Sequence, residues 1–193
     1  MIKLKNIISK DVNEIQSTPS GISNANDETV FLKRINNAKR DADKESQKVD
    51  TYMDLNFQFA RDNASDTNVI IYKDGEVAGF VSLYEFETSK YQISNLAIKP
   101  EFRKLGIAQK TYEYILSKTK EIYSDAYQTP EAKKLWLRMF SKYKIQGYDT
   151  KANIYFEVKP SENEDELVSN DPKYTLYSDR YDTSSIVLVI SKK

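Results

Sequence analysis

The chain has 193 residues, of which 39% are hydrophobic and 30% are charged, so it has enough apolar mass for one core with a well-solvated surface. Its 29 Lys and Arg residues balance 29 Asp and Glu residues, and a zero net charge gives no general attraction to nucleic acid or to an anionic membrane. Because the chain contains no cysteine and no histidine, it excludes disulfides, thiolate catalysis, Cys or His metal ligands and a histidine base.

The hydropathy pattern contains neither a signal peptide nor a transmembrane run. The apolar stretch at the N-terminus is too short for the first, and no stretch approaches the length of the second. We therefore expect a single domain over residues 1–193 that is cytoplasmic and has no membrane partner.

The first third of the chain predicts a strand, a loop and a long helical segment. Residues 2–8 suit a short strand, and residues 17–27 have the Pro, Gly, Asn and Ser composition of a loop. From residue 28 to residue 63 apolar side chains recur at helical spacing, which predicts a helical insertion in one or two pieces. Such an arm would cover the sheet, line a binding pocket or pair with a second copy in a homodimer.

The next segment predicts an antiparallel meander of three strands. Residues 69–72 and 77–84 are apolar runs on either side of Asp74-Gly75, a favoured pair for a two-residue hairpin turn. A third run at residues 91–98 follows after a short turn.

The most informative stretch runs from Ile93 to Lys110 and reads as strand, basic loop and helix. Gly106 stands where the helix begins, and Arg103 and Lys104 add positive charge. No residue from 102 to 108 is Ser, Thr, Asp or Asn, so the first amides of the helix lack a side-chain cap. A helix start with free amides and nearby cations binds anions, and a phosphate or diphosphate would fit it.

The region that follows predicts a second strand and a second helix. Residues 107–120 form an amphipathic helix by pattern, and residues 121–128 suit a strand, which gives a strand–helix–strand unit with parallel pairing. Thr129 and the proline after it predict the start of another helix, for which Gly147 is the expected stop signal.

The C-terminal part predicts two further strands, at residues 152–158 and 184–190. Residues 161–171 between them are acidic and rich in turn residues, so we expect residues 160–183 to be a mobile or substrate-side loop. Tyrosines recur there every three to four residues. A buried aromatic stripe is a commoner reason for this spacing than an aromatic wall over a binding pocket. They are Tyr174, Tyr177 and Tyr181.

The stretch from 93 to 110 resembles the acetyl-CoA-binding motif of the GCN5-related N-acetyltransferase (GNAT) superfamily. In that motif a strand leads into (Gln or Arg)-x-x-Gly-x-(Gly or Ala), and here Leu96-Ala-Ile98 leads into Arg103-Lys-Leu-Gly-Ile-Ala108. The resemblance covers roughly residues 1–15 and 66–159. It implies an α/β (α+β) fold with a mixed, mostly antiparallel central sheet of six to seven strands flanked by helices, to which the N-terminal helical arm is an addition.

The resemblance also implies acetyl-CoA as co-substrate, without a metal. Loop amides would hold its diphosphate, the strand edge would pair with its pantetheine arm, and an N–H near Ile98 would polarise the thioester carbonyl. The residues so assigned are Leu96, Ala97, Ile98, Arg103, Lys104, Leu105, Gly106, Ile107 and Ala108.

For the general acid, the family often uses a tyrosine on the second helix of the motif region. Aligning the helix start places Trp136 at that position, whereas aligning its end places Tyr143 there. Tryptophan cannot usefully protonate a thiolate, so we favour Tyr143, although a core aromatic residue explains it equally well. Asp125, Glu85 and Glu87 are candidate bases, none preferred, and a water chain would serve instead.

Together these features predict an N-acetyltransferase that acts on a primary amine of a small molecule, a peptide or a protein. One alternative is a toxin-like acetyltransferase that acts on aminoacyl-tRNA through basic side chains near one helix, although the neutral overall charge disfavours a nucleic-acid partner. The other alternative is a non-catalytic CoA-binding module of the same fold. The basic side chains are Lys133, Lys134, Arg138, Lys142 and Lys144.

Overall fold

The computed structural model describes two thirds of the chain and leaves out most of its N-terminal part. The described residues are 32, 33, 35–37, 40, 49–61, 66–87, 90–125, 128–176 and 186–193. The predicted strand at 2–8, the loop at 17–27 and two of the C-terminal tyrosines, Tyr177 and Tyr181, lie outside them. Within these ranges, none of the helices combines the length and the hydropathy that crossing a membrane requires.

Strands make up most of the described chain, and they join in the order β1-β2-β3-β4-β5-β6-β10-β7-β8-β9. In chain order the strands are β1 Val49–Tyr52, β2 Leu55–Arg61, β3 Asp66–Lys73, β4 Glu76–Glu87, β5 Lys90–Ile98, β6 Glu121–Tyr123, β7 Lys144–Asp149, β8 Ile154–Pro160, β9 Leu167–Ser169 and β10 Ile186–Ser191. The helices are α1 Ile107–Lys118 and α2 Pro130–Phe140, and a 3-10 turn at Pro100–Phe102 precedes α1.

The sheet is mixed and mostly antiparallel. Each pair of neighbours from β1 to β5 is antiparallel, as are β6 with β10, β10 with β7, β7 with β8 and β8 with β9. Only β5 and β6 are parallel among the described strands, and α1 connects them. This arrangement confirms the predicted fold class and the predicted strand–helix–strand unit.

The meander predicted around Asp74-Gly75 is confirmed as β3, β4 and β5. Both turn residues have positive φ, 51° for Asp74 and 84° for Gly75, which matches the twist of a tight two-residue hairpin turn. Lys73 pairs with Glu76 directly across that turn.

Residues 49–61 form a β-hairpin, so the prediction of helix for residues 28–63 is wrong over this part. The apolar residues that fitted helical spacing include Val49 and Met53, which are 56% and 63% exposed. The side chains that are fully buried are Leu55 and Phe57, two residues apart as in a strand. Helical geometry is found earlier in the arm, at residues 32, 33, 35–37 and 40. With β1, β2 and β9 the described sheet has ten strands instead of the six or seven expected.

Gly147 lies inside β7, so its prediction as a helix stop is also wrong, since α2 already ends at Phe140. A Cβ atom on Gly147 would clash with the ring of Phe156 on β8. The glycine therefore makes room for a neighbouring aromatic ring, which in turn stacks on Tyr174 at a centroid distance of 4.1 Å.

The segment expected as a mobile loop at 161–171 contains hydrogen-bonded turns and β9. The amide of Ser161 donates to the carbonyl of Glu166 at 2.8 Å, and its hydroxyl donates to Asp165 at 2.7 Å. Lys133 on α2 reaches the Glu166 carboxylate at 2.9 Å. Leu167 is fully buried, so the segment packs against the protein next to α2.

Both helices pack on the same face of the sheet and cover the main core. Their buried side chains are Ile107, Tyr112, Tyr114, Ile115, Leu116, Leu135, Trp136 and Met139. Three smaller clusters lie outside this main core. They are centred on Ile70, on Phe80 with Ile35 from the N-terminal helical residues, and on Tyr123 and Tyr148.

Candidate active site

A wedge opens between β5 and β6, the two parallel strands. They pair only at Lys90 with Glu121, Tyr91 with Ile122 and Gln92 with Tyr123. Beyond Gln92 no strand in the described part of the chain pairs with this edge of β5, although its other edge stays paired with β4 as far as Ile98. Backbone groups along one side of β5 are therefore available to a ligand, as the family resemblance implied. We call this opening the wedge, and its paired end the closed end.

Ser124 anchors the chain to β10 as it leaves β6. Its amide donates to the carbonyl of Leu188 on β10 at 2.8 Å, and its hydroxyl accepts from the Leu188 amide at 2.9 Å. Gln92 donates to the Ser124 carbonyl at 3.3 Å where the two strands separate. Sequence reasoning missed this role of Ser124, because it depends on a strand more than sixty residues away.

A β-bulge in β5 lies at the start of the wedge. Ile93 pairs with Leu83 and Asn95 with Ser82, which leaves Ser94 as an extra residue. As a result Ile93 and Leu96 both pack into the main core although they are an odd number of residues apart.

The residues predicted at the strand edge follow on from this bulge. Leu96 and Ile98 pack against the main core, whereas Ala97 packs against the Phe80 cluster on the opposite face. Their side chains thus pack in the core while their backbone borders the wedge, so core packing is compatible with the predicted backbone contact to a ligand.

The loop after β5 presents an uncapped helix start. Gly106 is the N-cap of α1 with φ 73°, makes no side-chain cap and is followed by no acidic residue in the first turn. Of the amides predicted to hold a diphosphate, that of Arg103 already donates to the Pro100 carbonyl at 3.2 Å. Those of residues 104–108 have no acceptor in the ranges that the structure describes. Together with the positive end of the helix dipole, these amides suit an anion.

The side chains around this loop are held by the protein itself. The Arg103 guanidinium donates to the carbonyl of Ile98 at 3.1 Å, which ties the loop to the end of β5. Lys110 in the first turn of α1 reaches Asp54 in the β1–β2 turn, and Lys73 contacts the same carboxylate at 3.1 Å. Hydrogen bonds from Lys110 and Lys73 lower the pKa of Asp54 to about 2.

The two candidates for the general acid have different surroundings. Trp136 is 1% exposed and packs edge-on against Tyr112 at a centroid distance of 5.5 Å. Burial raises the pKa of Tyr112, and its hydrogen bond with Trp136 partly opposes the rise. Tyr143 follows α2 in a turn, half-buried, and burial together with the negative charge of Glu113 raises its pKa. Neither aromatic side chain makes a hydrogen bond to the described edge of β5.

The candidate bases lie at different ends of the wedge. Glu85 and Glu87 on β4 pair with Tyr91 and Lys90, at the closed end. Asp125 follows β6 where the wedge opens, and its charge contributes to the raised pKa of Tyr112. The structure thus separates Asp125 from the two glutamates. In the part of the chain that is described, no group of three Asp or Glu side chains is placed to hold a metal ion.

The family model for acetyltransferases of the GNAT family matches residues 32–139, which is more than half of the chain. The chain therefore belongs to the GNAT acetyltransferase family, as its motif predicted, and is an acetyl-CoA-dependent acyltransferase. No curated protein matches it.

Several solved structures are similar to this chain at low identity. A GNAT family acetyltransferase from Elizabethkingia anophelis with acetyl-CoA bound is 16% identical, with 67% of this chain and 77% of that chain covered and a TM-score of 0.38. An acetyltransferase from Bacillus subtilis in complex with CoA is 14% identical, with coverage of 67% and 78% and a TM-score of 0.39. The ribosomal-protein-S18-alanine N-acetyltransferase from Escherichia coli is 11% identical, with coverage of 67% and 70% and a TM-score of 0.37.

Proposed function

We propose that this protein is an N-acetyltransferase that moves the acetyl group of acetyl-CoA to a primary amine of a small molecule, a peptide or a protein. The observation that carries the proposal is the wedge between β5 and β6, with the uncapped start of α1 beside its open end. A single extended ligand with an anionic end would use both features at once.

The backbone supplies most of the contacts in this proposal. The amides of residues 104–108 hold the diphosphate of acetyl-CoA, and the free edge of β5 at residues 96–98 pairs with its pantetheine arm. Fixing the thioester beside a bound amine lowers the activation free energy by up to about 10 kcal/mol, since the two reactants no longer have to meet in solution.

The chemical step then needs a base, an oxyanion contact and an acid. The neutral amine nitrogen attacks the thioester carbonyl carbon, while an edge amide of β5 near Ile98 stabilises the oxygen that becomes negative. The amine gives up one proton, to water or through water to Asp125. The C–S bond breaks, and the thiolate takes a proton from Tyr143. We prefer Tyr143 to Trp136 as the general acid because Trp136 is buried and packed on Tyr112.

The basic side chains give less support to the alternative hypothesis of an aminoacyl-tRNA acetyltransferase. Lys133 pairs with Glu166 at 2.9 Å, and Lys142 lies 3.8 Å from Glu113, so two of the five charges face carboxylates. The zero net charge of the chain gives no compensating excess.

Calorimetric titration of acetyl-CoA into the wild type and into Gly106→Trp tests the donor site. We expect micromolar binding by the wild type and at least about tenfold weaker binding by the variant, because the indole fills the space in front of the loop amides. Gly75→Trp is the matched control, since both glycines have positive φ and open space around a Cβ atom. It carries the same strain and the same bulk in the β3–β4 turn and should bind like the wild type.

Failure of the wild type to bind acetyl-CoA would contradict the proposal, and equal loss in both variants would assign the effect to strain. Given binding, release of free CoA in the presence of a panel of amines separates the two remaining functions. Turnover identifies an enzyme with its acceptor class, whereas binding without turnover on any amine identifies a non-catalytic CoA-binding module.

A further inference from the structure

A carboxylate with tyrosine neighbours lies on β6, beside the closed end of the wedge. Ile122 packs into the main core together with both helices, so Glu121 and Tyr123 on either side of it point to the other face of the sheet. Tyr123 pairs with Gln92, and this is the last pair before β5 and β6 separate. The side chains of Glu121 and Tyr123 therefore lie next to the start of the wedge, on the face away from α1 and α2.

The Glu121 carboxylate is held through one of its two oxygens. The Tyr123 hydroxyl donates to Oε2 at 2.8 Å, the Tyr155 hydroxyl lies 3.4 Å from the same oxygen, and Lys90 Nζ lies 3.8 Å from it. Within the described ranges, no hydrogen bond or ion pair is made by Oε1. The side chain is 26% exposed, so a ligand can reach it from solvent. The carboxylate is thus fixed in orientation with one oxygen left to accept.

Tyrosine rings line the approach to this carboxylate. The hydroxyls of Tyr123 and Tyr155 are 2.6 Å apart, and the ring of Tyr148 packs on both, with centroid distances of 5.7 Å and 4.6 Å. Tyr123 and Tyr148 are buried, whereas Tyr155 is 40% exposed. Burial raises the pKa of Tyr123, and its hydrogen bonds to Tyr155 and Glu121 raise it further, so this phenol keeps its proton near neutral pH. A carboxylate beside an exposed aromatic ring suits a cation.

Only one face of the wedge is open to the molecule that receives the acetyl group. On the helix side, Ile93 and Leu96 of β5 and Ile122 of β6 pack in the main core with side chains of α1 and α2. The incoming amine therefore approaches from the other face, where it meets Glu121 and Tyr155.

Building on the function proposed above, we propose that the acetyl acceptor is a diamine whose second ammonium group binds Glu121. One amine nitrogen attacks the thioester at the start of the wedge, while the far ammonium donates to Oε1 beside the ring of Tyr155. Glu121 and Tyr123 are two residues apart on β6, so the two ends of the diamine are separated by about 7 Å, which a short alkyl chain spans. Glu121 thus selects the substrate without touching the reacting atoms.

Cadaverine and hexylamine test this proposal, because their chains are equally long and only the far end differs, an ammonium in one and a methyl group in the other. Calorimetry with protein saturated with CoA gives the affinity for each amine, and release of CoA from acetyl-CoA gives kcat/KM. We expect the wild type to favour cadaverine at least about tenfold in both measurements. In Glu121→Gln the preference should fall to about the statistical factor of two for the equivalent amines of cadaverine, with the values for hexylamine unchanged.

Glu157→Gln is the matched control. Phe156 packs in the main core between Tyr155 and Glu157, so the Glu157 side chain lies on the same face of the sheet as Tyr155. Its carboxylate accepts from the Asn170 side chain at 3.2 Å. Loss of this charge should leave the preference for cadaverine as it is in the wild type.

A wild type that binds acetyl-CoA but does not distinguish the two amines would overturn this inference and leave the proposed donor site intact. Equal weakening of both amines in Glu121→Gln would also overturn it, because the side chain would then act on the fold or on the chemical step. The same holds if Glu157→Gln loses the preference as fully as Glu121→Gln. If the wild type does not bind acetyl-CoA, the proposed function itself fails, and the inference fails with it.

Discussion

At the scale of single residues, Tyr143 combines a raised pKa with partial access to solvent. Burial and the charge of Glu113 raise its pKa above the ordinary value of 10.0, so the phenol carries its proton at every pH near neutrality. Trp136, seven residues earlier, has no acidic proton to give and is enclosed against Tyr112. Of these two residues, only Tyr143 is therefore chemically suitable as a proton donor to a thiolate leaving group.

We expect Tyr143→Phe to lower kcat about 100-fold, because the leaving thiolate loses its acid, with little change in the Kd for acetyl-CoA. Steady-state kinetics on an amine identified by the panel, together with calorimetry, measures both quantities. Tyr174→Phe is the control, since that ring packs on Phe156 and lies in another part of the fold.

The pH profile gives a second readout of the same substitution. A raised folded pKa means that the acid is lost only as the pH rises through a value above 10, so kcat of the wild type should fall on that alkaline side. This limb should be missing in Tyr143→Phe. An unchanged kcat in the variant would remove Tyr143 from the mechanism.

At the scale of elements, the β1–β2 hairpin holds α1 along one side. Asp54 in the hairpin turn contacts Lys110, and Asp50 accepts from the Tyr114 hydroxyl at 2.8 Å and lies 3.3 Å from Lys118. The three α1 residues are spaced four apart and form one stripe on the helix. The hairpin thus fixes the orientation of the helix whose first amides face the candidate diphosphate site.

Asp54→Asn should destabilise the protein in a pH-dependent way. The folded pKa of Asp54 is about 2, below its ordinary 3.8, so its contribution is fully present above about pH 4 and is lost as the pH falls through about 2. The difference in urea midpoint between the wild type and the variant should be present at pH 7 and shrink below pH 4. Asp74→Asn, which alters a carboxylate that is 80% exposed, should show little difference at either pH. A difference that stays constant down to pH 2 would contradict this account.

Elements with a local signal could be predicted from the sequence. Asp74-Gly75 demanded a tight turn, and Thr129 with the proline after it marked the start of α2. The hairpin at 49–61 had no such signal, because Val49 and Met53 fit helical spacing while Leu55-Asn-Phe57 alternates as a strand. The strand forms because β2 pairs with β3 and because Leu55 and Phe57 become buried. Both effects depend on residues distant in sequence, so the local pattern could not predict them.

The candidate site likewise has features that could be predicted from the sequence and features that could not. The loop at Gly106 was predictable, since the glycine, the basic residues and the missing cap all lie within one short stretch. The bulge at Ser94 was not, because an extra residue is defined only against the register of β4.

At the scale of the whole molecule, the sheet consists of two blocks with a weak backbone connection. The first block is β1 to β5, and the second is β6, β10, β7, β8 and β9. Three residue pairs between β5 and β6 join them, and α1 and α2 bridge them on one face. A ligand in the wedge would add a second connection between the blocks.

We therefore expect acetyl-CoA to slow hydrogen exchange in peptides that cover residues 93–98 and the α1 start at 104–108. In the free protein both stretches have backbone groups without acceptors in the described chain, and bound ligand would cover them. Exchange followed by mass spectrometry, with the β3–β4 hairpin as an internal reference, measures the effect. Saturating acetyl-CoA that binds by calorimetry but leaves both stretches unprotected would place its site elsewhere.

The extra residue at Ser94 has a consequence for how β5 tolerates change in its length. Side chains before it and after it alternate independently, and the one-residue offset brings Ile93, Leu96 and Ile98 to the same face. Many single substitutions along β5 would keep that alternation intact. Deletion of Ser94 would join Ile93 directly to Asn95 and remove the bulge, so that Leu96 and Ile98 would still face the core in regular alternation. The bulge thus lets β5 lose one residue without the exchange of faces that a one-residue shift causes in a regular strand.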